Sequence, residues 1–154
     1  MNALTDLLAV AVGGAIGATL RYAITAAMGL FSPAGRFAAV MGWIGGPSAT
    51  GTTAANLLGC LALGMLLQLL RWEPAASADA EPVRLVSFWT PHRLLMVRVG
   101  LLGSLTTFST LIGETLGLVI DGKSLVGVVL LMVNLIAGGA CFLLGIGMVR
   151  QWTG

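Results

Sequence analysis

Five hydroxyl side chains, Ser104, Thr106, Thr107, Ser109 and Thr110, fall within seven residues of the apolar segment 100–114. In a bilayer core a hydroxyl has no water to bond. Such a cluster therefore persists only where it faces a cavity, an ion or another helix. Two amides lie on similar ground. Thr52, Asn56, Gly59 and Leu63 recur at helical spacing on one face of an apolar run, and Asn134, Gly138, Cys141 and Gly145 do so on another. Each amide can serve a ligand or tie two helices together, the latter worth roughly 0.6–2 kcal/mol. Arg21 shares a face with Gly14 and Gly17. A guanidinium at that depth costs roughly 2.5–3.5 kcal/mol unless it snorkels or meets water and a partner, so Arg21 is expected in a wet vestibule. Glu114, the acid within a span, lies one turn beyond Thr110 and is expected in an outer vestibule or paired with an arginine.

The elements that must position these residues follow from hydropathy. With 57% hydrophobic and 9% charged residues in 154 and a mean hydropathy of +0.97, the composition is that of an all-α integral membrane protein. Four apolar runs, at about 7–31, 50–70, 94–120 and 125–149, reach the roughly 20 helical residues needed to cross a hydrocarbon layer. They leave room for a single membrane domain. Trp43, Trp72, Trp89 and Trp152 all sit at the edges of these runs, where side chains with one apolar and one wet end belong.

Residues 72–92, rich in Pro, Ala and acids, read as a polar, flexible linker, with His92 an interfacial loop residue that has no partner suggesting catalysis. Residues 32–49, with Pro33, Gly45, Gly46 and Pro47, read as turns at the membrane surface. Asp121 and Gly122 mark a tight hairpin between spans three and four. A cleavable leader is not expected, because Asp6 stands where a basic segment would precede it. Cys60 and Cys141 lie in mid-span with no metal-ligand spacing and read as small packing residues. Small residues four apart, such as Gly13 and Gly17, or Gly113 and Gly117, allow close helix packing and favour oligomers. Basic residues divide five against three, Arg71, Arg84, Arg93, Arg98 and Arg150 on one side and Arg21, Arg36 and Lys123 on the other, a weak positive-inside signal. The orientation of the chain is weakly specified.

Residues 13–22 (GGAIGATLRY), 51–59 (GTTAANLLG) and 103–110 (GSLTTFST), in that order and within a four-span plan, resemble the Fluc (CrcB) family of bacterial fluoride channels. The resemblance implies a passive, selective fluoride channel in the bacterial inner membrane. It also implies a tightly packed dual-topology dimer of antiparallel subunits and a third span broken at its centre. Carbonyls at the break hold a structural sodium ion in that family, and Gly103 and Thr106 occupy the donating positions. The anion path would be lined by Asn56, Phe108, Ser109 and Thr110, with Arg21 making its vestibule electropositive. Fluoride must exchange its water for N–H, O–H and ring-edge donors, and those types are present. Two positions depart from the family. Its second pore phenylalanine is Leu111 here, and the serine expected on span four is Asn134. These departures leave room for a subunit that works beside a different homologue, in a heterodimer rather than a homodimer.

Other classes fit less well. A proton-coupled exporter of the small multidrug resistance type needs an acid in mid-span one, where this chain has Gly13 to Gly17 and no carboxylate. A purely structural subunit leaves the hydroxyl cluster without purpose. An enzyme is not expected, since no nucleophile–base pair or metal-ligand cluster is present in the sequence.

Overall fold

The computed structural model describes residues 3–30, 36–71 and 89–153. The described residues form helices: α1 (Ala3–Leu30), α2 (Arg36–Trp43), α3 (Pro47–Arg71), α4 (residues 91–105), α5 (Phe108–Ile120) and α6 (Ser124–Thr153). Helix α4 is composite. It opens as Pro91–Leu94, widens to a π-helix over Leu95–Leu102 and ends in one α-turn, Gly103–Leu105. Among the described residues, four segments are long and apolar enough to cross a membrane: α1, α3, the stretch Pro91–Ile120 that holds α4 and α5, and α6. Their outer faces present Leu4, Leu7, Ile16, Leu20, Leu58 and Ile136. Water would penalise that surface, whereas acyl chains match it.

The ends of the elements differ from the sequence reading in places. Residues 36–43 are helical rather than a turn, and α3 begins at Pro47, whose fixed φ suits a first helical position. Gly45 and Gly46, at φ of 90° and 92°, make the corner between them. Span three starts at Pro91 because Thr90 caps it, its side chain accepting from the Arg93 N–H at 3.4 Å. That turn takes in His92, expected in a loop: its Nδ1 lies 2.7 Å from Asp6 Oδ1 and joins the starts of α1 and α4. The remainder of the expected linker, 72–88, lies outside the described residues, as does Trp72. The hairpin at Asp121 and Gly122 is present, closed by the Lys123 N–H donating to the Leu118 carbonyl at 2.8 Å.

Helix α3 packs along α6, α1 along α4, and α5 against α6. Small residues make the first two contacts close. Gly13 faces the Met96 carbonyl and Gly17 the Leu101 carbonyl, while Gly64 faces the Phe142 carbonyl and Gly145 that of Leu61. Backbones that approach so nearly gain dispersion contact where hydrophobicity no longer drives association. Gly113 and Gly117 have open space beside them instead. Two buried clusters form the core, Ala55, Leu66, Leu102 and Leu105 in one and Ala49, Leu111 and Leu130 in the other. Leu105 and Leu111 thus anchor span three on either side of residues 106–107.

Candidate functional site

Between α4 and α5 the backbone leaves helical geometry at two residues: Thr106 has φ −80°, ψ 151° and Thr107 φ −149°, ψ 116°. Their hydrogen bonds show what replaces the helix. The Thr106 N–H and its Oγ1 both donate to the Leu102 carbonyl, at 3.1 and 3.0 Å. The Thr107 N–H, which an uninterrupted helix would direct to the Gly103 carbonyl, donates to Asn56 Oδ1 at 2.8 Å. The Thr110 N–H, which would serve the Thr106 carbonyl, donates to Thr107 Oγ1 at 3.2 Å, so Thr107 caps α5. The carbonyls of Gly103 and Thr106 therefore lose their ordinary helical partners, and a bare carbonyl in a membrane needs a substitute.

The two amides form the other half of the arrangement. Asn56 Nδ2 donates to Asn134 Oδ1 at 2.9 Å and, at a longer 3.4 Å, to the Thr107 carbonyl. Asn134 Nδ2 donates to Thr53 Oγ1 at 2.9 Å and to the Leu130 carbonyl at 3.0 Å. Asn56, Asn134, Thr53 and Thr107 are all buried. A chain of hydrogen bonds thus runs from α6 through α3 to the gap between α4 and α5.

Asn56, Gly103, Thr106, Phe108 and Asn134 line one open cavity of about 440 Å³, together with Thr107 and Leu111. Arg21 and Thr110 line a second, of about 230 Å³, with Tyr22, Thr25, Ser48 and Thr52. The structure therefore divides the expected site residues between two spaces. They meet at a hydroxyl contact, Thr107 Oγ1 donating to Thr110 Oγ1 at 3.0 Å. Ser109 lines neither; it is exposed, with its Oγ 3.5 Å from Thr107 Oγ1. Phe108 projects from the first turn of α5 and is 70% exposed.

Sequence reasoning missed three participants. Thr107 belonged to the hydroxyl cluster, yet nothing in its type singled it out as the residue whose N–H and Oγ1 organise the gap. Thr53 follows Thr52 on the amide-bearing helix but could be placed only once α6 was beside it. Arg98, counted for orientation alone, borders the larger cavity. Glu114 has no arginine partner among the described residues: its Oε1 accepts from Ser48 Oγ at 2.6 Å and Thr52 Oγ1 at 3.1 Å, two residues that line the smaller cavity with Arg21. Two hydroxyls on the facing helix α3 serve that oxygen, and its buried Oε2 has no partner among the described residues. Leu111, in place of an aromatic ring, is 3% exposed, packs on Ala49 and Leu130 and borders the larger cavity.

A family model described as CrcB-like protein, Camphor Resistance (CrcB), matches residues 8–146. The chain is 44% identical over 153 residues to a fluoride-specific ion channel FluC of Rhodopirellula baltica, covering 99% of each. It is 36% identical over 151 residues to the FluC of Chloroflexus aurantiacus, covering 98% of this chain and 100% of that one. The FluC of Haemophilus influenzae strain PittEE is 37% identical over 140 residues, covering 91% of this chain and 89% of the other.

Proposed function

Because the chain belongs to the CrcB family of fluoride channels, we propose that it is a passive, fluoride-selective channel that lets fluoride leave a bacterial cell across the inner membrane. It is a multi-pass membrane protein and not an enzyme. The observation that carries the reading is the interruption at Thr106 and Thr107, where donors and hydroxyls gather on a face that one protomer leaves open. Gly103, Phe108, Ser109 and Thr110 are exposed there, in mid-span. Lipid cannot satisfy the Gly103 carbonyl or the Ser109 and Thr110 hydroxyls, so a second copy covers them. The weak, five-against-three bias of basic residues suits a copy inserted in the opposite orientation, giving an antiparallel dual-topology dimer with span three functionally broken.

Fluoride holds its water strongly, and a path for it must supply donors of matched strength without a fixed charge that traps it. Arg21 raises the local potential at the smaller cavity. Thr110 and Ser109 offer O–H groups, Phe108 a ring edge, and Asn56 an amide N–H beside Asn134. The carbonyls of Gly103 and Thr106 fit a hard monovalent cation, since they are oxygens with lone pairs left over by the interruption. Two protomers would bring four of them to a structural sodium ion, which would neutralise their partial charges and hold the subunits together.

The test is ion efflux from liposomes containing the purified protein. Fluoride should leave passively and chloride should stay. Equal chloride flux, or transport driven by a proton gradient, would remove the channel reading. Replacing sodium by a large organic cation should weaken the dimer and reduce the flux; a dimer indifferent to sodium would remove the ion from the proposal.

Leu111 favours one variation, a heterodimer in which a homologous subunit supplies the missing ring. We expect the homodimer to carry fluoride slowly and Leu111→Phe to raise its flux, because the side chain borders the larger cavity as well as the core. The added volume against Ala49 and Leu130 should lower stability by about 1–3 kcal/mol. A homodimer that stays silent with Leu111→Phe, yet conducts when a homologous subunit is added, would make this chain one half of a heterodimer.

A further inference from the structure

Each carboxamide in the buried chain can sit in two orientations, related by exchanging its oxygen and nitrogen. At Asn134 the neighbours decide. Turned over, its oxygen would face the Leu130 carbonyl and its NH₂ would face the NH₂ of Asn56, so the donor to Leu130 O (3.0 Å) locks it as it stands, with its other hydrogen on Thr53 Oγ1 (2.9 Å). Its Oδ1 then points at Asn56 and takes one Asn56 hydrogen at 2.9 Å. With that hydrogen held, Asn56 presents Oδ1 to the Thr107 N–H at 2.8 Å. Its second hydrogen is left on the long, 3.4 Å contact with the Thr107 carbonyl. A contact of that length is weak and readily exchanged for a better acceptor.

We infer that Asn134 is a positioning residue for conduction: by fixing which way round the Asn56 carboxamide sits, it keeps the Thr107 N–H out of the helix and leaves one loosely held Asn56 N–H for a passing anion. This rests on the fluoride reading for its purpose. The relay itself stands on the hydrogen bonds alone. It separates two roles that a pore-lining assignment merges, since Asn134 spends both its hydrogens on protein and has none to offer the ion. Thr53 takes the other Asn134 hydrogen and is hydrogen-bonded to Asn134 rather than to Asn56.

The relay is tested by amide hydrogen exchange, resolved at Thr107, on the full chain in lipid nanodiscs, together with liposome flux. Asn134→Leu keeps the branched shape of the side chain, with bulkier ends, but removes its acceptor and donors. Losing the orientation of one buried hydrogen bond should speed exchange at Thr107 by about tenfold and lower fluoride flux by a similar factor, with the mid-helix amides of α3 and α6 unchanged. Thr53→Val should shift Thr107 exchange in the same direction by a smaller factor, and it decides the matter if Asn134→Leu does not assemble. Unchanged Thr107 exchange in the variant that assembles would overturn the proposal, as would a uniform rise along α3 and α6, the mark of a residue that only joins two helices. If the unaltered protein carries no fluoride, the conduction role falls with it, while Thr107 exchange still decides whether Asn134 orients Asn56.

Discussion

Replacing Asn56 by Asp should abolish fluoride flux while leaving the protein folded. The substitution keeps an oxygen where the Thr107 N–H is held at 2.8 Å, so the interruption between α4 and α5 survives. It removes both N–H donors and sets a negative charge beside the anion path. Two like charges about 4 Å apart at an effective dielectric near 20 repel by about 4 kcal/mol. At about 1.36 kcal/mol per tenfold, that is roughly three orders of magnitude in rate. The new carboxylate oxygen would face Asn134 Oδ1, which the Leu130 carbonyl keeps in place, so the thermal midpoint should fall while the fold holds. Efflux from liposomes and the thermal midpoint of the purified protein measure the two halves of this expectation. Flux at the original level would return Asn56 to a purely structural role.

The second large effect belongs to Gly17. A side chain there would run into the Leu101 carbonyl, and neither backbone can yield because Leu101 lies in the π-helical stretch that α1 packs along. Gly17→Val should therefore cost at least about 3 kcal/mol, the upper part of the range for overpacking, since the obstacle is main chain. We expect loss of folded protein on purification. Gly29→Val, on the same helix with nothing within 4 Å, provides the control and should behave as the unaltered chain. Equal recovery of both variants would mean that α1 does not depend on its close seat against α4.

Much of the architecture was legible before any coordinates. Lipid imposes a length and a composition on every span, so the four apolar runs could be counted directly, and the edge tryptophans Trp43 and Trp152 are exposed at 61% and 91%. Span ends were less legible where local chemistry competes with hydropathy. The cap at Thr90 drew Pro91 and His92 into a helix, and α2 formed in a stretch whose glycines and prolines read as turns. The hydroxyl cluster and the two amides were visible as anomalies, because polar groups in apolar sequence stand out.

What only the tertiary structure decided is which polar group answers which. Thr107 and Asn56 are 51 residues apart, Asn56 and Asn134 78, His92 and Asp6 86, and Ser48 and Glu114 66. Helical periodicity places a residue on a face of its own helix but is silent about which helix lies opposite and at what height. That registry is set by backbones meeting at glycines such as Gly64 against Phe142 and Gly145 against Leu61, a packing outcome of the whole bundle. By itself the sequence determined that polar groups lie buried in four apolar helices, since hydropathy is a property of each segment alone. That Asn134 faces Asn56, and Asn56 faces the gap at Thr107, was decided by folding, because a hydrogen bond needs two groups within about 3 Å and only the packed bundle brings them there.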